Sequence, residues 1–468
     1  MSEAPIQFFK ARVPIHPRSV TGRFRNAKYA VLALAYGVFF LLPWLRWARD
    51  VGPQQALLFD LPARRFYLFD LVVHPQEIFW LAGLLVIAAL LLFFVTGVAG
   101  RVWCGYFCFQ TLWTDVYMLI ERLVQGERPA RIRLAKAPWG VAKFLKLGVT
   151  HALWLAVAFA TGLSFTLYWA DAPALAGRFF AGQAPFPAYA TTLLLTATTY
   201  VFAGLAREQV CTYMCPYARF QSVMFDRDTL IVSYDRVRGE GPNGRCKPSR
   251  ELREREARQA AGRGDCIDCG YCVQVCPTGI DIRDGLQVEC IHCALCVDAC
   301  DGIMDGLGWP RGLVGYTSQN ALEGGRTRLL KPKTLGYGAA LLVAASLLIG
   351  SVAGHPAFDV TVRQTRNPLS VTLSSGEVQN RYAVTVDNTS GRALRLRLVL
   401  DGLPGARMTV LPSADIRLRP EARRTVYVKV RLVPEPGQAR RMTFRFRLLP
   451  SGEAAPEPIS VPTQFYTR

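Results

Sequence analysis

Apolar positions follow two rhythms along this chain. Over most of its length they run together: Ala27–Leu45, Glu77–Gly100, Leu147–Ala170, Ala188–Ala206 and Thr334–Gly354 are each predominantly apolar. Each is about 20 residues, enough for a helix to cross roughly 30 Å of hydrocarbon. Thr and Gly interrupt the third and fourth, and Trp and Tyr stand near several ends, as at membrane–water interfaces. From about Phe358 the rhythm changes to alternation, in "YAVTVDN", "LRLRLVLDG", "RTVYVKVRLV" and "MTFRFRLLPSG". Period-two runs separated by Gly, Pro, Asn and Ser predict short antiparallel strands. About a hundred residues of them predict a β-sandwich of immunoglobulin type.

Residues 207–265 are a polar connector in which "SRELREREARQAAGRGD" predicts a charged, solvated helix ending at Gly262. The chain has 468 residues, 51% hydrophobic, and a net charge of +20. That implies several domains, with apolar length beyond the needs of a soluble core. A basic excess serves nucleic acid or anionic lipid. Five spans favour lipid, and the Arg run lacks the aromatic platform of an RNA binder, so no nucleic acid is expected as partner.

Lys and Arg in short loops set orientation. The N-terminal arm carries Lys10, Arg12, Arg18, Arg23, Arg25 and Lys28, and the second-to-third connection carries Arg101, Arg122, Arg128, Arg131, Arg133, Lys136, Lys143 and Lys146. Against these stand Arg178 between the third and fourth spans, and Arg46, Arg49, Arg64 and Arg65 between the first and second. The N-terminus is therefore expected in the cytoplasm, segment 207–333 with it, and the domain after the fifth span outside. The first span starts well inside the chain without a small-residue cleavage site, so it is not read as a signal peptide.

None of the 13 cysteines lies beyond residue 300, which keeps them on the expected reducing side and points to metal or redox work. Eight form two runs, Cys266-x-x-Cys269-x-x-Cys272-x-x-x-Cys276-Pro277 and Cys290-x-x-Cys293-x-x-Cys296-x-x-x-Cys300. This is the bacterial two-cluster ferredoxin pattern, in which the fourth cysteine of each run serves the other cluster. Two [4Fe-4S] clusters are expected, one on Cys266, Cys269, Cys272 and Cys300, the other on Cys290, Cys293, Cys296 and Cys276. Structural zinc takes four ligands per site rather than two interleaved runs. Asp301 stands where a proline follows the first run.

Cys104 and Cys108, and Cys211 and Cys215, form two further pairs, each after a span. If each helix continues, i and i+4 share a face, and two thiolates there can hold a soft ion such as Cu(I). The plainer reading of such thiols is small buried hydrophobes. Cys246 is read as incidental. Of five histidines only His151 lies clearly within a span, so a bis-histidine haem is not expected; it is read as a hydrogen-bonded polar residue. His292, between cluster cysteines, is read as exposed.

The expected fold is thus a multi-domain membrane protein: an α-helical bundle of five transmembrane helices, a ferredoxin-like two-cluster iron–sulfur insert, and a C-terminal immunoglobulin-like β-sandwich. Its divisions are an arm over 1–27, four spans over 28–206, a connector over 207–265, the insert over 266–305, a second connector over 306–333, the fifth span over 334–354 and the sandwich over 355–468.

Four stretches carry a resemblance: "IHPRSVTGRFRNAKY", "RVWCGYFCFQTLWTDVYMLIER", "EQVCTYMCPYARFQSVMFDRDTLIVSYDRVRGE" and the double cysteine run. Together they resemble the CcoG/FixG/RdxA family, accessory proteins for assembly of the cbb-type cytochrome c oxidase. The resemblance implies a bacterial cytoplasmic-membrane protein that reduces Cu(II) to Cu(I). Its CxxxCP motifs match Cys104/Cys108, with Phe109 in place of proline, and Cys211/Cys215, which keeps Pro216. The activity so implied is a cupric reductase: clusters loaded by an unidentified electron donor, copper as substrate at the four thiols. Its product would go to a copper chaperone or copper-transporting ATPase, for oxidase assembly intermediates. Two rivals remain: a quinol-linked electron-transfer subunit and a non-catalytic assembly scaffold.

Overall fold

The computed structural model describes residues 14–49, 52–354, 356–390, 392–420, 422–435, 439–451 and 456–467. Lys10, Arg12 and His355 lie outside them. The chain divides into two compact units, one holding residues up to 45, 55–66 and 73–348, the other 46–54, 67–72 and 349 onward.

In the first unit and leading out of it, five helices are long and apolar enough to cross a membrane: Arg23–Trp44, Ile78–Ala99, Val141–Leu167, Phe186–Ala206 and Pro332–Ala353. Their large side chains face outward; Leu84 and Leu85 are 54% and 63% exposed, a surface suited to hydrocarbon rather than water. The third starts earlier than its apolar run, taking in Lys143 and Lys146, whose long side chains extend beyond an apolar helix end. Within it His151 Nδ1 lies 2.8 Å from the Tyr200 hydroxyl.

A helix that the apolar rhythm does not reveal, Phe109–Gln125, packs among these. It buries Leu112, Trp113 and Tyr117, and Tyr117 stacks on Trp154 with ring centroids 5.2 Å apart. It also buries Asp115, flanked by Arg25 at 2.9 Å and Lys28 at 3.6 Å. Two cations counted as loop charges are thus consumed inside the fold. The first turn of Arg23–Leu41 is capped from a distance: the Phe24 and Arg25 N–H groups donate to the Asp298 carboxylate at 3.2 and 2.7 Å. Asp298 lies on Leu295–Leu307, so the N-terminal segment is fastened to the cysteine-rich domain.

The connector departs from expectation. Its helix covers only Arg255–Ala260, and Arg258 is fully buried instead of solvated. The guanidinium donates to the carbonyls of Cys246, Gly264 and Cys266 at 3.0–3.1 Å. It satisfies backbone acceptors that a turn-rich segment leaves unpaired, an arrangement invisible to charge periodicity. Gly262 does end the segment, with φ at +67°. Strand Ile231–Tyr234 pairs antiparallel with Val314–Thr317, closing a ladder around the cysteine runs.

The second unit is an immunoglobulin-like sandwich. One sheet runs 407–411, 423–432, 378–388, 358–364, with 371–372 also on 378–388; the other runs 415–418, 394–401, 441–450, 459–466. Alternation explains it: Val384, Val430, Phe446 and Leu448 are fully buried while Arg381, Arg445 and Arg447 point outward.

Candidate iron–sulfur and thiol site

The two cysteine runs fold alike because the same backbone positions turn left-handed. Asp268 and Gly270 have φ of 48° and 64°; His292 and Ala294, at equivalent places in the second run, have 51° and 56°. Each turn curls a Cys-x-x-Cys-x-x-Cys loop around a hollow and launches a short helix, Tyr271–Gln274 or Leu295–Leu307. The helices differ in length. Pro277 has no N–H and stops the first, whereas Asp301 lets the second run on through Cys300, its carboxylate accepting from the Gly312 N–H at 3.0 Å.

Cys266, Cys269, Cys272 and Cys300 line one hollow of about 380 Å³ with Ile267, Met304 and Leu313. Cys276, Cys290, Cys293 and Cys296 line the other, about 350 Å³, with Ile280, Ile282 and Ile291; Cys272 reaches both. Burial pushes the Cys300 thiol up to about 12, helped by Cys272, Cys266 and Cys269. Burial likewise raises Cys290 to about 12 and Cys272 to about 11. Four sulfurs around an apolar hollow form the donor set of a cubane. The residues present therefore fit clusters.

Four of the five remaining thiols are brought together, but not along one helix face. Cys104 sits on Val102–Tyr106 and Cys108 caps Phe109–Gln125 with ψ of 127°. Cys211 sits on the wide turn Val210–Met214, and Cys215 caps Pro216–Val223 with ψ of 108°. Both helices break at the second cysteine, so the i,i+4 argument fails. Phe109 makes the same break as Pro216 because the residue after an N-cap needs no N–H partner. The Gln110 amide ties the two segments, donating to the Phe202 and Arg207 carbonyls at 2.8 and 3.2 Å. Burial raises the Cys104 thiol to about 11, with buried Arg101 opposing and Cys108 and Cys215 adding. Cys211 rises to about 12, again through burial first and then Cys108 and Cys104.

Cys104 is also oriented. Its thiol donates to Gln221 Oε1 at 3.1 Å, and Gln221 Nε2 donates to Thr96 Oγ1 at 3.0 Å. Because Thr96 gives its own proton to the Leu92 carbonyl, it can only accept from the amide, which turns the Gln221 oxygen toward the thiol.

The segment bearing Cys104 docks on the second cysteine run. The Arg101 N–H donates to His292 Nδ1 at 3.0 Å, and the Tyr106 hydroxyl donates to the Cys293 carbonyl at 3.1 Å. Gly105 lies flat between them: a Cβ there would fall 2.8 Å from the Ile291 carbonyl oxygen and 3.0 Å from Cys293 Cα. His292 is therefore 1% exposed rather than solvent-facing, stacked on Phe225. Burial, then Arg101, lowers its pKa to about 3, so it stays neutral as an acceptor. Gly105→Val is expected to prise the contact open and speed amide exchange over 288–296 by about tenfold, read by hydrogen–deuterium exchange.

Three stretches match family models: "4Fe-4S dicluster domain" over 206–319, "4Fe-4S binding domain" over 81–125, and "IG-like fold at C-terminal of FixG" over 348–468. Protein RdxA of Cereibacter sphaeroides is 41% identical over 439 residues, 92% of this chain and 91% of that protein. The chain belongs to the FixG/RdxA family. Nitrogen fixation protein FixG of Rhizobium meliloti is 42% identical over 444 residues, 87% of this chain and 82% of FixG. A FixG-related crystal structure from Vibrio parahaemolyticus aligns with 24% of this chain and 97% of that one, at 20% identity and TM-score 0.22. This FixG/RdxA protein is thus an iron–sulfur protein built for electron transfer. Sequence reading passed over Gly105, Gln110 and Gln221. Only Gly105 left a trace, a glycine between two thiols where backbone approach is closest.

Proposed function

We propose that this protein is a membrane-bound cupric reductase, with copper as substrate at Cys104, Cys108, Cys211 and Cys215. The observation that carries the reading is the docking of Arg101–Tyr106 on the second cysteine run, which seats Cys104 in the same buried cluster as Cys293. Cys266, Cys269, Cys272 and Cys300 hold one cluster, and Cys276, Cys290, Cys293 and Cys296 the other. The clusters, when bound, supply one-electron transfer with little change of geometry.

The chain's own groups do the rest. Cys104 and Cys211 are thiols at neutral pH, so copper capture releases their protons as thiolates form. Thiolate sulfur favours Cu(I) over Cu(II), which draws one electron onto each copper. Two sulfurs suffice for Cu(I). Gln221 holds the Cys104 sulfur in place and Arg101 steadies the thiolate. The four thiols and clusters face the cytoplasm of a bacterial inner membrane, and the sandwich lies on the other side. Cu(I) leaves to a copper chaperone or transporting ATPase that serves oxidase assembly.

A second reading has its own support: the 4Fe-4S binding family model covers 81–125, where Cys104 and Cys108 are the cysteines. The four thiols would then hold a third cluster. Iron content decides, at about 8 per chain for two cubanes against about 12 for three. Gln221→Leu is expected to slow Cu(I) formation about tenfold with cluster absorbance unchanged, measured by trapping Cu(I) with a chromogenic chelator.

A further inference from the structure

A cavity of about 450 Å³ lies against both cysteine runs, and its lining residues Val20, Val275 and Leu295 also pack in the cluster that holds Cys104. Four guanidinium groups line it, from Arg18, Arg25, Arg122 and Arg131, with Asp115 the one carboxylate among its described lining residues. Its wall includes Val275, Pro277 and Leu295, which flank Cys276 and Cys296.

The charges do not cancel. Asp115 is answered twice, by Arg25 at 2.9 Å and Lys28 at 3.6 Å. Burial works to raise the Asp115 pKa, but Lys28 and Arg25 outweigh it, so the group stays ionised. Glu121, just behind, is also answered twice, by Arg131 at 3.2 Å and by Arg207. Asp115 and Glu121 therefore each leave one positive charge over. Arg131 is 2% exposed and its Nε has no hydrogen-bond partner among the described residues. Arg18 lies over the Tyr271 ring at 4.5 Å, and Arg122 meets the half-exposed Glu127 at 3.9 Å and donates to the Tyr29 hydroxyl at 3.4 Å, so no buried carboxylate answers either. Surplus buried cation is unfavourable unless an anion answers it, and guanidinium forks match phosphate oxygens.

We propose that this cavity binds one phosphate-bearing group, held by Arg18, Arg122 and Arg131. The proposal does not depend on the copper reading. A phospholipid headgroup and a soluble phosphate compound share this chemistry. The first is within reach because Arg23–Trp44, whose first turn contributes Arg25, is one of the membrane-length helices.

The test uses the full-length, cluster-loaded protein in neutral detergent. Pyrophosphate is titrated calorimetrically, and phosphatidylglycerol is counted by native mass spectrometry after release from nanodiscs. Saturable one-to-one pyrophosphate binding, weakened roughly tenfold or more in Arg18→Gln/Arg122→Gln, supports the proposal and favours a soluble ligand. One phosphatidylglycerol retained per wild-type chain and lost in the variant supports it and favours a headgroup. Phosphatidylcholine nanodiscs set the background. Arg18 is exposed and Arg122 half-buried, so the variant is expected to fold; cluster absorbance and thermal unfolding check this. Arg18→Lys/Arg122→Lys, which keeps the charge, is expected to retain part of the binding. Binding of neither probe, or equal binding by wild type and the Gln variant, overturns the proposal.

Discussion

Replacing Cys104, Cys108, Cys211 and Cys215 together by serine is expected to leave both clusters in place and lower Cu(I) formation by about a hundredfold or more. Serine keeps the size and the hydrogen bond to Gln221 but offers a hard oxygen in place of a soft sulfur. The cluster hollows are lined by other cysteines, so iron content and absorbance are expected to stay unchanged. The measurement is anaerobic: clusters reduced, reductant removed, Cu(II) added, with cluster reoxidation and Cu(I) followed together. Stoichiometric transfer in wild type that the variant loses identifies the thiols as the copper-reducing site. Equal rates would mean that copper oxidises the clusters directly. The quinol-linked or scaffold reading would then lead, the first recognised by a quinol-induced change in the cluster spectrum.

Much of this architecture is legible in the sequence alone. Span length, strand alternation and cysteine spacing each reflect a local periodicity, and a local periodicity can be read along the chain. The membrane-length helices, the sandwich strands and the two cysteine runs belong to this class. What escaped reading depends on contacts between residues far apart in sequence. Arg258 looks solvated on a charged helix yet lies buried, because three carbonyls from separate turns needed a donor. His292 looks exposed in a cysteine loop yet is covered by Arg101, nearly two hundred residues earlier. The thiol pairs looked like helix-face pairs, and only the break at Cys108 and Cys215 shows otherwise. The Phe109 departure carries little weight, because the break is set by the cap and not by proline.

The second large effect tests how the cysteine runs share their clusters. Cys300 is contiguous with the second run but lines the first hollow, and Cys276 is contiguous with the first run but lines the second. If the hollows hold one cubane each, Cys300→Ala and Cys269→Ala remove the same cluster. They are then expected to leave the same residual electron paramagnetic resonance spectrum and about 4 iron per chain. Cys276→Ala and Cys293→Ala are expected to share the other spectrum. A sequence-contiguous arrangement predicts the opposite grouping, with Cys300→Ala matching Cys293→Ala, and that result would sink the crossed assignment. The Cys293 and Cys276 variants carry a further consequence. Their cluster lies beside Gly105 and Cys104, so its loss is expected to loosen the 288–296 loop and slow copper reduction even with the four thiols intact. Loss of the other cluster leaves the docking contact in place, and the thiols keep their nearest electron carrier. Unequal damage from two equally complete cluster losses follows from where Arg101–Tyr106 lands, and from nothing in the cysteine spacing itself.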